Sequence, residues 1–232
     1  MKKVVALVPF TSSDSSRTKI WSWVKNWWEQ NTDVKIIVGE DHGTFFNKSL
    51  ATNRASDLAG DWEVALILDS DTIVPPEQVE EGIRLARETK ALVFPFTERW
   101  ELSPEGTELL MNNESSDWQK DAGKYRWQSS GGCVIVHREL WDLVRGYDPG
   151  FVGWGYEDGG FLISCTLLSG KDPIRVPGKH WHLEHTPAEE KSPTHPVYKA
   201  NEKRYFRYMK AAGKPNAKEL LREIREETIG IV

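Results

Sequence analysis

The sequence has little cysteine. Only Cys133 and Cys165 occur among its 232 residues, and both lie between apolar neighbours. Two such residues exclude a disulfide framework and a cysteine-built metal cluster, and they are typical of reduced core positions. We therefore expect a reducing compartment and a cytoplasmic protein.

Long apolar runs are also missing. The run at residues 4–8 follows Met1-Lys2-Lys3 but breaks at Pro9, which is too early for a secretory signal. No other stretch approaches the roughly 20 apolar residues of a membrane-spanning helix. With 39% hydrophobic and 28% charged residues, the composition predicts a globular chain with no membrane span.

Neither a basic excess nor a glycine-rich phosphate loop is present. A net charge of −5 argues against a broad nucleic-acid surface, although it leaves a local basic groove such as residues 203–208 open. After the first predicted strand the chain continues as Pro9-Phe10-Thr11, without the glycines of a dinucleotide or nucleoside-triphosphate loop. This disfavours a nucleotidyltransferase, and any bound phosphate must be held in another way.

What the sequence does contain is a repeated strand–helix alternation. Apolar runs at 4–8, 34–38, 64–68 and 91–94 alternate with helical patterns at 18–29, 48–58 and 75–89. The alternation predicts an α/β fold with a mostly parallel sheet and helices on both faces. Trp21, Trp27 and Trp28 recur at helical spacing in the first helix, which indicates core packing.

Beyond residue 96 the alternation stops. Residues 97–128 are polar and weakly periodic, and we interpret them as an irregular lid or binding segment. Short strands are predicted at 133–136, 174–176 and 180–183, and a charged helical tail covers 198–232. Because there is no linker and no repeat, we expect a single domain over residues 1–232.

The third predicted strand ends in two acids, Asp69 and Asp71. Strand residues two apart point to the same side, and ligands of open α/β sheets bind at the carboxyl ends of the strands. Carboxylates there suit Mg²⁺ or Mn²⁺, and through the metal a phosphate. Asp41 and the turn at Pro9 lie at the same edge and would line a nucleoside pocket. The alternative for the two acids is a helix cap or a loop position.

Two later stretches carry further chemistry. Glu157 and Asp158 follow the glycine-rich segment 153–156, and either acid is a candidate general base. The alternative is an acid that the helix dipole stabilises by about 0.3–1 kcal/mol. His182 and His185 are spaced as a candidate metal pair, and the alternative is one buried structural histidine and one surface histidine.

Together these motifs form an ordered series. It runs from Asp69-Ser70-Asp71 through Gly131-Gly132 and the segment 146–158 to His182 and His185. The series resembles the galactosyltransferase C-terminal region of GT-A fold glycosyltransferases. That region is shared by β-1,4-galactosyltransferases, chondroitin polymerases and polypeptide N-acetylgalactosaminyltransferases. The resemblance covers residues 4–200 and is most specific over 146–155.

The resemblance implies a role for each matching residue. Asp71 would bind Mn²⁺ (or Mg²⁺) with His185 and with His182, which stands where those transferases have methionine. Asp158 would deprotonate the acceptor, and Glu157 would contact a sugar. Tyr156 departs from the family, which has glycine there, and is expected to narrow the acceptor cleft or change lid motion. The residues implied to contact the substrates are Asp69, Ser70, Gly131, Gly132, Trp154 and Gly155, with Trp154 capping the sugar on a lid.

The nucleoside, usually uridine, would be held by residues at the first two strand ends and the helices after them. The candidates are Pro9, Phe10, Thr11, Arg17, Asp41 (or Glu40), Lys48 and Arg54, each with a surface or salt-bridge role as the alternative. Residues 1–96 would then be the nucleotide-sugar half, 97–197 the acceptor and catalytic half, and 198–232 a helical tail.

The implied function is metal-dependent transfer of a sugar from a UDP-sugar to a hydroxyl, with inversion because of Asp158. The acceptor is a saccharide, a protein or a hydroxylated DNA base, and residues 97–128 are expected to select it. The small size favours a bacterial or phage enzyme. Two alternatives stay open: a retaining transferase of the same fold, and a non-catalytic carbohydrate-binding module.

Overall fold

The computed structural model describes residues 3–12, 15–112, 119 and 122–229. The strands are β1 (Val4–Phe10), β2 (Lys35–Glu40), β3 (Val64–Leu68), β4 (Thr72–Ile73), β5 (Val93–Phe94), β6 (Glu98–Leu102), β7 (Ala122–Trp127), β8 (Cys133–His137), β9 (Ile174–Arg175) and β10 (Lys179–His182). The helices are α1 (Ser15–Asn31), α2 (Lys48–Ala59), α3 (Pro76–Thr89), α4 (Pro104–Asn112), α5 (Arg138–Val144), α6 (Glu157–Ser169), α7 (Pro196–Ala212) and α8 (Ala217–Ile229).

The central sheet has six strands in the order β2-β1-β3-β8-β5-β9. Strand β1 pairs in parallel with β2 and β3, and β5 with β9, whereas β8 runs antiparallel to both β3 and β5. All five residues of β3 are buried, so the sheet is covered on both faces. The predicted α/β fold with a mostly parallel sheet is confirmed.

A second, four-stranded sheet with the order β4-β10-β6-β7 is a correction to the sequence analysis. Residues 97–128 were expected to be irregular, but they contain β6, α4 and β7. The strand pattern is hidden because β6 carries polar residues, Glu98, Arg99 and Glu101, on a strand that is mostly half-buried. Polar residues mask the period of two that a half-buried strand usually shows.

The tryptophan stripe of α1 is core packing, as predicted. Trp21, Val24 and Trp28 are buried, and the Trp28 indole donates a 3.0 Å hydrogen bond to the carbonyl of Thr72. This bond ties α1 to the turn that carries Asp71. The core therefore fixes the backbone at the end of β3, where the acidic motif lies.

The C-terminal helices pack on the loop that precedes α6. Arg204 of α7 donates to buried Asp148 at 2.7 and 3.0 Å, and Tyr208 donates to the same carboxylate. Arg204 and Tyr208 therefore face inward, and the basic stretch 203–208 does not form one continuous exposed groove. Phe206 remains half-exposed on the outer face.

Across the part of the chain that the structure describes, no helix is both long and apolar enough to cross a bilayer.

Candidate active site

Asp71, His182 and His185 converge at one edge of the second sheet. Strand β4, which begins directly after Asp71, pairs antiparallel with β10, and Thr72 is opposite His182. The Asp71 carboxylate lies 3.0 Å from His185 Nε2 and 3.7 Å from His182 Nε2. One ligand atom from each residue lies within 4.8 Å of the others. This strand pairing brings Asp71 close to the two histidines, which are far from it in the sequence.

The protonation states of Asp71 and His182 suit cation binding, whereas the pKa of His185 is set by its contact with Asp71. Burial lowers the pKa of His182 to about 4, so its imidazole is neutral near pH 7. Burial opposes the charge on Asp71, but the two imidazoles and Arg17 outweigh burial and hold the pKa of Asp71 below its ordinary value. Burial also lowers the pKa of His185, but its hydrogen bond to Asp71 and the Asp71 charge outweigh burial and raise it.

The three side chains fit a resident divalent metal. One carboxylate and two imidazoles form a donor set that suits Mn²⁺. Asp71 Oδ1 and His182 Nδ1 are buried and have no hydrogen-bond partner among the residues that the structure describes. Unpaired buried polar atoms cost stability, and a cation on Asp71 would remove that cost for Oδ1.

A second cluster is built around Lys48, the first residue of α2. Asn47 caps this helix by accepting a hydrogen bond from the Leu50 amide, which fixes the start of the helix beside the end of β3. Lys48 Nζ lies 2.8 Å from Asp69, 2.9 Å from Asp158 and 3.6 Å from Glu157. One ammonium thus holds three carboxylates from β3 and α6 together.

Burial and neighbouring charges shift the pKa values of Lys48, Glu157 and Asp69 in this cluster. Burial disfavours the charge on Lys48, but Asp158, Asp69 and Glu157 outweigh burial and raise the pKa of Lys48 well above its ordinary value. Burial and the Asp158 charge raise the pKa of Glu157 to about 7. Burial is also the main cause that raises the pKa of Asp69, against the lowering effect of Lys48.

Lys48 and Tyr147 orient the Asp158 carboxylate through three hydrogen bonds. Its Oδ1 accepts from Lys48 at 3.0 Å and from the Tyr147 hydroxyl at 3.0 Å, and its Oδ2 accepts from Lys48 at 2.9 Å. A carboxylate has about four acceptor positions, so one is left without a donor among the residues that the structure describes. A Cβ added at Gly131 would lie 2.4 Å from Oδ2. A side chain at position 131 would therefore collide with Asp158, and glycine lets the backbone approach the carboxylate closely.

We expect Glu157→Gln to change the pH dependence of stability. Glu157 has an ordinary pKa of 4.5 and a folded pKa of about 7, so the folded chain binds this proton more tightly than the unfolded chain. The ionised side chain therefore costs stability as pH rises through that interval. The unfolding free energy of Glu157→Gln minus that of the native chain should be larger at pH 8 than at pH 5 in urea titrations. Glu80→Gln, on an exposed acid of α3, is the control, and equal differences at both pH values would contradict the assignment.

The segment that precedes α6 is held by α7. Trp154 is 40% exposed and stacks on Tyr198, with ring centroids 5.9 Å apart and planes 11° apart. Tyr156 has a positive φ of 73°, and its hydroxyl lies 2.9 Å from that of Tyr198 and donates to Glu202. The Tyr156 ring contacts α7, which explains how a bulky residue occupies the position where the resembling family has glycine. Gly155 also has a positive φ.

The nucleoside candidates divide into separate groups. The Asp41 carboxylate accepts from Arg54 at 3.0 Å and from the Asn47 amide at 3.1 Å, so these residues organise the loop after β2. The Phe10 ring is buried against Trp21, while Pro9 and Thr11 flank it at the end of β1. These positions line the sheet edge as expected, although the Phe10 ring faces the core.

Arg17 lies apart from that group. Its Nη2 is 3.1 Å from His185 Nδ1, which places the guanidinium at the Asp71 cluster rather than beside Asp41. Ser70 is buried between the two acids. Gly132 packs on His180, because a Cβ there would lie 2.3 Å from the imidazole, and its φ of 103° also favours glycine.

Sequence reasoning missed two members of the site. Lys48 was considered only as a nucleoside contact, and Tyr147 entered only as part of the resembling segment 146–155. Neither spacing nor residue type indicated that they meet Asp158, because Lys48 is 110 residues away in the chain. The Asn47 cap before Lys48 was the one local signal, since it places a cation at the start of a helix beside the sheet edge.

Comparisons with known proteins can now be set against this geometry. A family model described as the N-terminal domain of galactosyltransferase matches residues 113–186, which is less than half of the chain. Among curated protein sequences, none matches the chain significantly. Solved structures do match.

Several structural neighbours have TM-scores above 0.5. The catalytic domain of Drosophila β1,4-galactosyltransferase 7 in complex with xylobiose has 18% identity and a TM-score of 0.52, covering 75% of this chain and 65% of its own. Glucosyl-3-phosphoglycerate synthase from Mycobacterium tuberculosis, with Mn²⁺, UDP and phosphoglyceric acid, has 18% identity, a TM-score of 0.51 and coverages of 92% and 80%. GalNAc-T7 with UDP, GalNAc and Mn²⁺ has 12% identity, a TM-score of 0.54 and coverages of 97% and 54%.

The chain has a GT-A glycosyltransferase fold. At these identities the likeness shows the fold alone, and the chain spans slightly less than two thirds of the Drosophila catalytic domain. In this GT-A fold, the Asp71 cluster joins the end of β3 to the end of β10, and the Lys48 cluster joins the end of β3 to the starts of α2 and α6.

Proposed function

We propose that this protein is a metal-dependent glycosyltransferase that moves a sugar from a UDP-sugar to an acceptor hydroxyl. One observation carries the proposal: a cluster of candidate metal ligands (Asp71, His182, His185) lies in the same site as the Asp158 carboxylate. Lys48 links the two, because it contacts both Asp158 and Asp69, which is two residues from Asp71. A GT-A fold, and neighbours whose structures contain Mn²⁺ and UDP, support the same assignment.

The residues divide the work between leaving group and acceptor. Asp71, His185 and His182 would hold Mn²⁺ (or Mg²⁺), which when bound offsets negative charge on a diphosphate. Arg17, beside His185, is placed to contact a phosphate oxygen. Asp69 would contact the sugar or ribose, with its orientation fixed by Lys48.

Asp158 is the proposed base. Tyr147 and Lys48 fix its carboxylate, and the open position on Oδ2 beside Gly131 is where an acceptor hydroxyl would donate its proton. Direct attack by that hydroxyl on the anomeric carbon inverts its configuration, so we propose an inverting transferase. A retaining transferase would not need a base at this position.

The acceptor is proposed to be a saccharide, a protein or a hydroxylated base, and Trp154 offers an exposed flat face for a sugar ring. The single-domain organisation, with a nucleotide-sugar half at 1–96 and an acceptor half at 97–197, remains part of this proposal. So does the cytoplasmic location.

The proposed function is tested by UDP release. Purified protein is mixed with Mn²⁺ and each of several UDP-sugars, and free UDP is measured with and without chelator. We expect Mn²⁺-dependent release with at least one donor, slow without an acceptor and faster with one. A protein that binds sugars but releases no UDP from any donor would instead be a carbohydrate-binding module.

A further inference from the structure

One cation in the site has no place in the proposed chemistry. Arg99 lies on β6, within the segment that was expected to select the acceptor. Strand β6 pairs in parallel with β10, and Arg99 is opposite His180 while Glu101 is opposite His182. Paired residues of neighbouring strands project to the same face of a sheet. The Arg99 side chain therefore shares a face with the candidate ligand His182.

Arg99 approaches the open side of Asp158. Its Nη1 lies 3.9 Å from the position that a Gly131 Cβ would occupy, and that same position is 2.4 Å from Asp158 Oδ2. The guanidinium and the proposed base thus both lie close to the backbone at Gly131. An acceptor whose hydroxyl reaches Asp158 from this side would pass Arg99.

The charge of Arg99 is incompletely compensated. Its side chain is only 16% exposed. The nearest carboxylate oxygen among the described residues, Glu101 Oε1, is 3.9 Å from Arg99 Nε, which is too long for a hydrogen bond. Within the described ranges, Nε has no hydrogen-bond partner. A buried guanidinium without a bonded anion is costly, and Arg is the residue best shaped to bind a carboxylate or phosphate through two parallel hydrogen bonds.

The surroundings of Arg99 are also short of partners. His180 is fully buried, and neither of its ring nitrogens has a hydrogen-bond partner in the described part of the chain. Because an imidazole offers no negative charge, Arg99 stays a cation available to an anion on this face.

We propose that Arg99 selects an acceptor that carries an anionic group, a carboxylate or a phosphate, within about one sugar ring of the reacting hydroxyl. This inference rests on the proposed glycosyltransferase function. The anion belongs to the acceptor rather than to the donor diphosphate, because Arg99 meets Gly131 on the Asp158 side, whereas the diphosphate is assigned to Asp71 and Arg17.

The experiment compares acceptors that differ only in the group at C6. Methyl β-D-glucuronide, methyl β-D-glucoside 6-phosphate and neutral methyl β-D-glucoside are titrated with the best donor and Mn²⁺, and kcat/KM is measured for each. We expect a preference for an anionic acceptor of about tenfold or more, as a charge-assisted hydrogen bond provides. The two anionic sugars distinguish a carboxylate from a phosphate.

Variants assign the preference to Arg99. Arg99→Gln should remove the preference mainly through KM for the acceptor, with a smaller change in KM for the donor. Arg99→Lys keeps the charge but loses the fork, and it should retain part of the preference, which keeps the test usable if removal of the charge prevents folding. Arg84→Gln, on an exposed arginine of α3, is the matched control and should behave as the native chain.

Other results would overturn the inference. Equal kcat/KM for charged and neutral acceptors would do so, as would an Arg99→Gln variant whose main defect is in KM for the UDP-sugar. Acceptor binding is measured separately by calorimetry with UDP and Mn²⁺ present. If no donor releases UDP, the proposed function fails. Calorimetric preference for the anionic sugar, lost in Arg99→Gln, would still show the anion site by itself.

Discussion

Replacing Asp158 by asparagine is expected to abolish sugar transfer while leaving donor binding close to that of the native chain. Asparagine keeps the shape of the side chain and its bonds to neighbours in part, but it cannot accept the acceptor proton. A positioned general base accelerates a reaction by about 10²–10⁴-fold, so transfer should fall by that factor. Donor affinity should stay near the native value, because the diphosphate is assigned to Asp71 and Arg17.

The measurement is transfer to the best acceptor together with UDP binding by calorimetry. Asp57→Asn, an exposed acid on the same helix as Lys48, is the matched control. Replacement of Asp158 also leaves Lys48 with Asp69 and Glu157, so the fold should survive, and thermal unfolding checks this. A variant with near-native turnover would show that Asp158 is not the base.

Asp71→Asn is expected to weaken Mn²⁺ binding by at least about 100-fold and to reduce transfer with it. Even residues that only support metal ligands cost 10–100-fold in affinity when replaced, and Asp71 is placed as a direct ligand. Mn²⁺ affinity is measured by electron paramagnetic resonance, which reports free and bound metal without reference to turnover. Donor-dependent UDP release is then measured at saturating Mn²⁺.

Replacing each of the two histidines is expected to weaken Mn²⁺ binding to a different extent. His185 lies closer to Asp71 than His182 does, at 3.0 Å against 3.7 Å, so His185→Ala should lose more affinity than His182→Ala. His42→Ala, on a half-exposed histidine outside the cluster, is the control. Native Mn²⁺ affinity in both Asp71→Asn and His185→Ala would remove the metal site from this cluster.

The sequence predicted the parts of this site that local physics determines. The apolar run of β3 is buried on both faces, so its length, its parallel pairing and the position of Asp69 and Asp71 at its end could all be inferred. A helix start was one interpretation of Glu157 and Asp158, and α6 does begin at Glu157, where acids interact favourably with the helix dipole.

What the sequence could not provide is contact over long separations. Lys48 meets Asp158 only because α2 and α6 start at the same sheet edge. Strand β6 was missed because Arg99 and Glu101 face a polar site, where the usual apolar alternation is absent. The antiparallel orientation of β8 between β3 and β5 was also not predicted, because a short apolar run carries no information about the direction of the strand in the sheet.

Tyr156 shows how a local departure is resolved by the fold. From the sequence, a bulky residue at this position was expected to narrow the acceptor cleft or alter a lid. In the structure its ring contacts Tyr198 and Tyr205 of α7. Its hydroxyl bond to Glu202 and its positive φ then set the backbone just before Glu157. The contact between the Tyr156 ring and α7 could not be inferred from the sequence around Tyr156.

The central claim is that one site holds both a metal-bound nucleotide and the base. A crystal structure of the protein with UDP and Mn²⁺, with anomalous diffraction collected at the manganese edge, tests it most directly. The account predicts a single strong anomalous peak within bonding distance of Asp71 and His185, with the UDP diphosphate on the same metal and Asp158 in the same site. A manganese peak at other residues, or UDP bound away from Asp71, would contradict the account.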